Sequence, residues 1–367
     1  MSERKSIFKI ALIGDCLSGG GAEKVHATLS NFFFQNKIEV HNIIFIDWVT
    51  YDFSGKLVNL GKMKSVTILD KLKRLYFLKN YLLQNKFDFI IDFRYRVNAI
   101  NEILISYLVY KTPTIYTVHS GIIENYIPKS SFLANLIYGK HTIVVVSKAI
   151  EKKLNRSLNS VLTTIYNPFD INKIQILANK FIPQEKNYIL AVGRMNEKVK
   201  QFDKLIEAYS ISRLPNKEIK LLIIGEGKYL EELKELVFQK NLQDKVVFKN
   251  YQSNPHPYQK KALFTVVSSK NEGFPSVIIE SLIMETPVVS FDCFCGPSEI
   301  IVNFENGVLV ENQNIIGLAQ AMNEMIENEL LYANCKKNAL QSVAAFSLEN
   351  IGKQWLNLMQ LKQLSKN

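Results

Sequence analysis

The chain has 367 residues, of which 47% are hydrophobic and 22% charged, and its formal net charge is +11. That length exceeds one ordinary core and fits two domains, and the composition excludes a disordered chain. No apolar run reaches the length of a membrane-spanning helix, so none is expected.

Residues Met1–Lys5, followed by the apolar run to Gly14, are too short and interrupted for a signal peptide and predict a first β-strand. Strand-like apolar runs then alternate with helical patterns. In the first half the runs are Phe8–Ile13, Val40–Ile46, Phe89–Phe93, Thr114–Val118 and Thr142–Val146. In the second half they are Tyr188–Val192, Ile219–Ile224, Lys245–Phe248, Leu263–Val267 and Pro287–Phe291. Such alternation predicts an α/β protein with two doubly wound parallel sheets, each covered by helices on both faces. Between Lys56 and Lys86 stand eight basic residues and one acid, Asp70. Apolar and aromatic side chains interleave with them from Leu69 to Leu83, a basic amphipathic helix. It fits either an anionic bilayer surface or a solvated face above a core stripe. A Pro turn at Asn167-Pro168-Phe169-Asp170 and a polar segment near Pro183 place a hinge at residues 167–186. Ser347–Leu364 reads as a final helix with Ser347 as N-cap.

The four cysteines show no zinc-like spacing and the five histidines no cluster, so free thiols and no metal are expected. No nucleic-acid-binding signature occurs.

Several loops follow strand ends, where open α/β sheets bind ligands. The first strand ends at Gly14 and leads to Gly19-Gly20-Gly21-Ala22-Glu23, a loop that lets backbone approach a ligand. It lacks the dinucleotide fingerprint and reads equally as a flexible turn. His119 ends another strand, as a structural or a catalytic histidine. Gly193-Arg194 ends the first strand of the second half, with Lys198 and Lys200 close behind. Fixed cations there can neutralise a departing diphosphate. Gly225-Glu226-Gly227 ends the next strand. Then come Asn271-Glu272-Gly273-Phe274-Pro275-Ser276-Val277-Ile278-Ile279-Glu280, read as strand end, tight loop and helix. Free backbone N–H groups and the helix dipole make that helix start an anion site flanked by carboxylates.

These motifs, in order over nearly the whole chain, resemble the retaining glycosyltransferases of family 4 (glycosyl transferases group 1) of bacterial surface-polysaccharide type. Glu272 to Glu280 is similar to the family's E-x7-E motif, and Gly193-Arg194 with Lys200 to its diphosphate-binding Arg and Lys. The Gly-rich loop is similar to its Gly-Gly-x-Glu segment, and Asn167-Pro168-Phe169-Asp170 to its interdomain turn. Asn254–Tyr258 and Cys295–Ile301 add to the likeness. Lys200 follows Arg194 by six residues where many members have five, so Lys198 stays a rival.

The resemblance implies the GT-B architecture, two Rossmann-like domains facing across a cleft. Residues 1–170 would bind the acceptor and residues 171–346 the nucleotide-sugar. Residues 347–367 would form a helix packing back on the first domain. The implied catalytic residues are Glu272, His119, Arg194 and Lys200. The implied donor contacts are Gly20, Gly21, Gly193, Arg194, Lys200, Gly225, Gly273, Phe274, Pro275, Ser276, Val277 and Glu280. Arg194 and Lys200 would hold the diphosphate, Glu280 the ribose hydroxyls and Glu272 the sugar hydroxyls, with His119 on the sugar's β-face. The implied reaction is metal-independent and retaining, with no cofactor beyond a nucleotide-sugar, expected as a UDP-sugar. A hexosyl or N-acetylhexosaminyl group would move to a glycan or polyprenyl-diphosphate-linked acceptor. Localisation would be cytoplasmic, peripheral at the anionic inner leaflet. A sugar-nucleotide epimerase or a non-catalytic partner subunit of the same fold are the alternatives.

Overall fold

The structure is a computed structural model that describes residues 8–63 and 68–364. The N-terminal reading over residues 1–7, the part of the basic stretch at 64–67 and the end of the chain at 365–367 lie outside the described residues.

The elements run β1 (Lys9–Gly14), α1 (Gly21–Gln35), β2 (Glu39–Ile44), β3 (Lys56–Asn59), α2 (Ile68–Asn85), β4 (Phe89–Asp92) and α3 (Ala99–Leu104), which a π-helical turn (Ile105–Val109) extends. Then come β5 (Thr114–Val118), α4 (Ser131–Tyr138), β6 (Thr142–Val145), α5 (Lys148–Leu154), β7 (Val161–Thr164), α6 (Ile171–Ala178), β8 (Tyr188–Val192), α7 (Phe202–Ile211), β9 (Lys220–Ile224), α8 (Leu230–Gln239) and β10 (Val246–Lys249). The rest are α9 (His256–Lys261), β11 (Thr265–Val267), α10 (Ser276–Ile283), β12 (Val288–Asp292), α11 (Pro297–Ile300), β13 (Gly307–Glu311), α12 (Ile315–Glu327), α13 (Glu329–Ser342) and α14 (Leu348–Leu364).

The chain divides into two compact units, residues 1–169 with 346–367 and residues 170–345. Unit 1 holds a seven-stranded parallel sheet of order β3-β2-β1-β4-β5-β6-β7. Unit 2 holds a six-stranded parallel sheet of order β10-β9-β8-β11-β12-β13. In each, the chain first winds outward one way and then reverses, the doubly wound pattern expected from the alternating runs. The reversal opens a crevice at the C-terminal strand ends, between β1 and β4 in unit 1 and between β8 and β11 in unit 2.

Most of the strands read from sequence are buried ones, the half-exposed edge β10 being an exception. β5 and β8 have the expected bounds because almost every residue in them is enclosed. β3, β7 and β13 were not expected. They are sheet edges of four or five residues, and β3 and β7 are largely half-exposed, so their apolar signal is weak. The expected run at Leu263 shortens to three residues. Even so, Leu263 N–H donates to Tyr188 O and Phe264 O accepts from Leu190 N–H, which tie the segment to β8.

The C-terminal helix returns to unit 1, as expected. Ser347 Oγ accepts from Asn350 N–H and starts it. α14 then packs on α1, burying Ile351, Trp355 and Met359 in the core formed by Ile10, Leu12 and Phe33. Gly352 sits where any side chain would run into the Phe32 ring, so the two helices pack closely.

Candidate active site

The switch crevice of unit 2 takes its loops from several of the second-half segments singled out from sequence. β8 ends at Val192, and Gly193-Arg194 follows at once. A Cβ on Gly193 would lie 3.2 Å from Lys200 Cγ, so the loop after β8 folds the Lys200 stem back on the strand end. A Cβ on Gly225, just past β9, would lie 1.9 Å from Gly193 O, which only glycine permits. The loops after β8 and β9 therefore touch through backbone.

Across the crevice, β11 leads through Ser268–Pro275 into α10. Ser268 Oγ donates to Lys200 O at 2.8 Å, and Lys270 N–H donates to Val199 O at 2.8 Å. These bonds fasten the loop after β11 to the loop after β8. The result is a direct ion pair, Lys200 Nζ to Glu272 Oε1 at 2.6 Å. Arg194 is exposed on the same strand end and makes no hydrogen bond or ion pair among the described residues. Lys198 goes elsewhere. It is 58% exposed, pairs with Glu232 on α8 at 2.5 Å and lies over the Tyr229 ring. Of the two rival lysines, Lys200 is the one beside Glu272.

α10 begins at Ser276 with Pro275 as its N-cap residue, and no side chain caps it. Its first turn contains no acid, so the helix start has no local anion of its own. Phe274 is buried, Gly273 O lies against Gly296, and Pro275 packs on Gly296 at φ 101°. Glu280 is one turn past Ser276 on the same face and only 7% exposed, which makes it no ordinary surface carboxylate. The loop is braced from behind, where Cys295 Sγ donates to Glu272 O at 2.7 Å. Burial, with the Glu272 charge adding, pushes the Cys293 thiol up to about 12. All four cysteines are buried free thiols. Ser268 was not singled out from sequence, and Cys295 only as the start of a segment that adds to the likeness, because nothing local reveals a bond across two loops.

Unit 1 places its candidates at the C-terminal edge of its own sheet. Gly20 is the N-cap residue of α1 and Gly21 its first residue, with open space where a Gly21 side chain would stand. The Glu23 carboxylate folds back over Gly20. Gly19, at φ 77°, lies against the Trp48 indole. His119 follows β5 and stacks on Phe93, which stacks in turn on His26. Both His119 ring nitrogens are enclosed and make no hydrogen bond. Burial, with the Arg96 charge adding, lowers its pKa to about 3, and the nearby Asn167 amide opposes without forming a bond of good geometry. His119 is therefore a neutral ring. Below it lies a buried network in which Arg94 joins Asp92 at 2.7 Å and Glu102 at 3.0 Å. Arg96 is enclosed by the rings of Tyr116, Tyr126 and Tyr138. Among the described residues no group of three metal-ligating side chains forms.

The fold is the GT-B fold of two doubly wound units. Solved structures of that kind superpose on most of the chain. Staphylococcus aureus TarM in complex with UDP matches at TM-score 0.76 and 18% identity, covering 96% of this chain and 100% of that one. Anabaena HepE in complex with UDP-glucose matches at TM-score 0.77 and 18% identity, covering 96% and 99%. The glycosyl transferases group 1 pattern matches residues 172–342. The N-acetylgalactosamine-N,N'-diacetylbacillosaminyl-diphospho-undecaprenol 4-alpha-N-acetylgalactosaminyltransferase of Campylobacter jejuni is 30% identical over 96% of this chain and 99% of its own length. The chain belongs to the glycosyl transferases group 1 family, and it is a glycosyltransferase.

Proposed function

We propose that this enzyme transfers a hexosyl or N-acetylhexosaminyl group from a UDP-sugar to a lipid-linked or growing surface glycan, with retention and without a metal. The observation that carries the reading is the Lys200–Glu272 pair at the uncapped start of α10, with Arg194 just after β8 and unpaired among the described residues. A diphosphate seated there would meet two cations and free N–H groups. Glu272 would turn to the sugar hydroxyls and the buried Glu280 to the ribose. The bond from the anomeric carbon to the departing phosphate oxygen breaks. The acceptor oxygen bonds that carbon from the same face, and its proton passes to the leaving diphosphate. Arg194 and Lys200 stabilise the charge that develops, the work a divalent cation would otherwise do.

UDP is named with the TarM and HepE structures, and an undecaprenol-linked glycan with the Campylobacter relative. Both support the choice of donor and acceptor class. No described helix is long and apolar enough to cross a membrane. A lipid-linked acceptor therefore implies a peripheral enzyme at the inner leaflet. The test is a nucleotide-sugar screen, by calorimetric binding and then by transfer to a polyprenyl-diphosphate-linked acceptor. A UDP-sugar should be consumed in proportion to acceptor glycosylated. Glu272→Ala should abolish transfer with its circular dichroism unchanged, and full activity in that variant would overturn the site.

A further inference from the structure

We propose that the outer surface of the helix row α2–α5 in unit 1 docks on an anionic lipid bilayer, with α3, its π-helical extension and α4 supplying the inserted side chains. The proposal rests on the reading that the acceptor is lipid-linked. The row follows from topology. β3→β4, β4→β5, β5→β6 and β6→β7 all step the same way along the sheet. Right-handed crossovers then place α2, α3, α4 and α5 side by side on one face, opposite α1. α2 packs against the π turn and α3 against α4, and Tyr107 OH donates to Leu136 O at 2.9 Å.

The outer side of this row is apolar at its centre. Ile100, Leu104 and Leu108 stand one turn apart, with Ile100 at 72% exposure. Beside them on α4, Phe132 is 76% exposed, and on α2 Leu72 and Tyr76 are exposed as well. Core packing uses none of these side chains. A run of large apolar groups across three adjacent helices marks an interaction face.

The charges select the partner. On these helices Asp70 and Glu102 are buried, and α4 carries no acid. Glu151 on α5 is half-buried and accepts from the Thr164 hydroxyl. The exposed charge is cationic, with Lys71 and Lys73 on α2 at one side and Lys148, Lys152 and Lys153 on α5 at the other. An apolar centre between basic flanks fits acyl chains under anionic headgroups. Two copies of the chain meeting here would oppose like charges. The sequence reading offered either a bilayer surface or a solvated face for the basic helix that is α2. Arg74 is half-buried and its Nη1 donates to Phe45 O, so it adds nothing to the face.

The test is flotation of the full chain with vesicles of equal parts phosphatidylglycerol and phosphatidylcholine, and with phosphatidylcholine alone. Ile100→Ser/Leu104→Ser/Leu108→Ser should weaken binding to the anionic vesicles by about tenfold or more. Lys152→Gln/Lys153→Gln should weaken it less and flatten its salt dependence. Both variants should keep the wild-type melting temperature and UDP affinity. Wild-type vesicle affinity in the triple variant overturns the proposal. So does a wild type that binds UDP but no vesicle, or a solution dimer that the triple variant dissociates with vesicle binding unchanged. UDP binding is read separately: its absence in the wild type overturns the proposed donor, while flotation still decides the docking face.

Discussion

The Lys200–Glu272 pair allows stability and donor binding to be separated by two cations a few residues apart. Lys200→Met removes a charge whose side chain is 27% exposed and leaves Glu272, 12% exposed, without its partner at 2.6 Å. Exposed pairs are worth about 1 kcal/mol or less, and breaking a fully buried one costs about 3–5 kcal/mol. This pair lies between those limits, so a loss of about 1–2 kcal/mol is expected. For a unit of this size that lowers the melting temperature by roughly 3–6 °C. Glu272→Gln in the same background should recover much of the loss, and a double-mutant cycle measures the coupling. Arg194→Ala should leave the melting temperature where it was, because Arg194 is exposed and has no hydrogen bond or ion pair to lose among the described residues. Both single variants should weaken UDP binding and cut kcat by about 100-fold or more, the scale of a lost stabilising group at a developing charge. The assays are thermal denaturation, calorimetry with UDP and a transfer assay. A zero coupling energy refutes the ion pair, and an unchanged UDP affinity in Arg194→Ala refutes the diphosphate assignment.

Two further outcomes follow from burial and close packing. His26 and His119 are held at pKa values of about 4 and about 3 by burial, below the usual 6.5. The unfolded chain therefore takes up protons first as pH falls, and stability is complete above about 6.5 and lost downward to about 4 and 3. Between pH 6.5 and 5 each ring should cost about 2 kcal/mol, measured by urea denaturation, and His119→Phe should remove its share. Equal pH dependence in wild type and His119→Phe refutes the assignment. Gly225→Ala would push a methyl to 1.9 Å from Gly193 O, so unit 2 should lose about 2–4 kcal/mol and UDP affinity with it. An unmoved denaturation midpoint would show that the two loops do not touch.

Local pattern determined much of this protein. Strands enclosed on both faces, such as β5 and β8, are continuous apolar runs, and such runs alternating with helices define two doubly wound units. Glycines and charges at strand ends marked the loops that line the crevices, because ligand position in this architecture depends on strand direction. The Ser347 cap and the apolar stripe of α14 were equally readable, being short-range features. The tertiary structure decided what depends on distant parts of the chain meeting. The edge strands β3 and β7 form because a neighbour offers hydrogen bonds, and their half-exposed side chains hardly announce it. The choice of Lys200 over Lys198 is made by the Ser268 and Lys270 bonds, nearly seventy residues away. Glu280 becomes a buried carboxylate and His119 a neutral ring through surroundings drawn from several elements. The apolar ridge of α3 and α4 between basic flanks exists only because four right-handed crossovers lay those helices side by side. Periodicity and turn chemistry are properties of neighbours in the chain, whereas burial, ion pairing and surface shape are properties of neighbours in space.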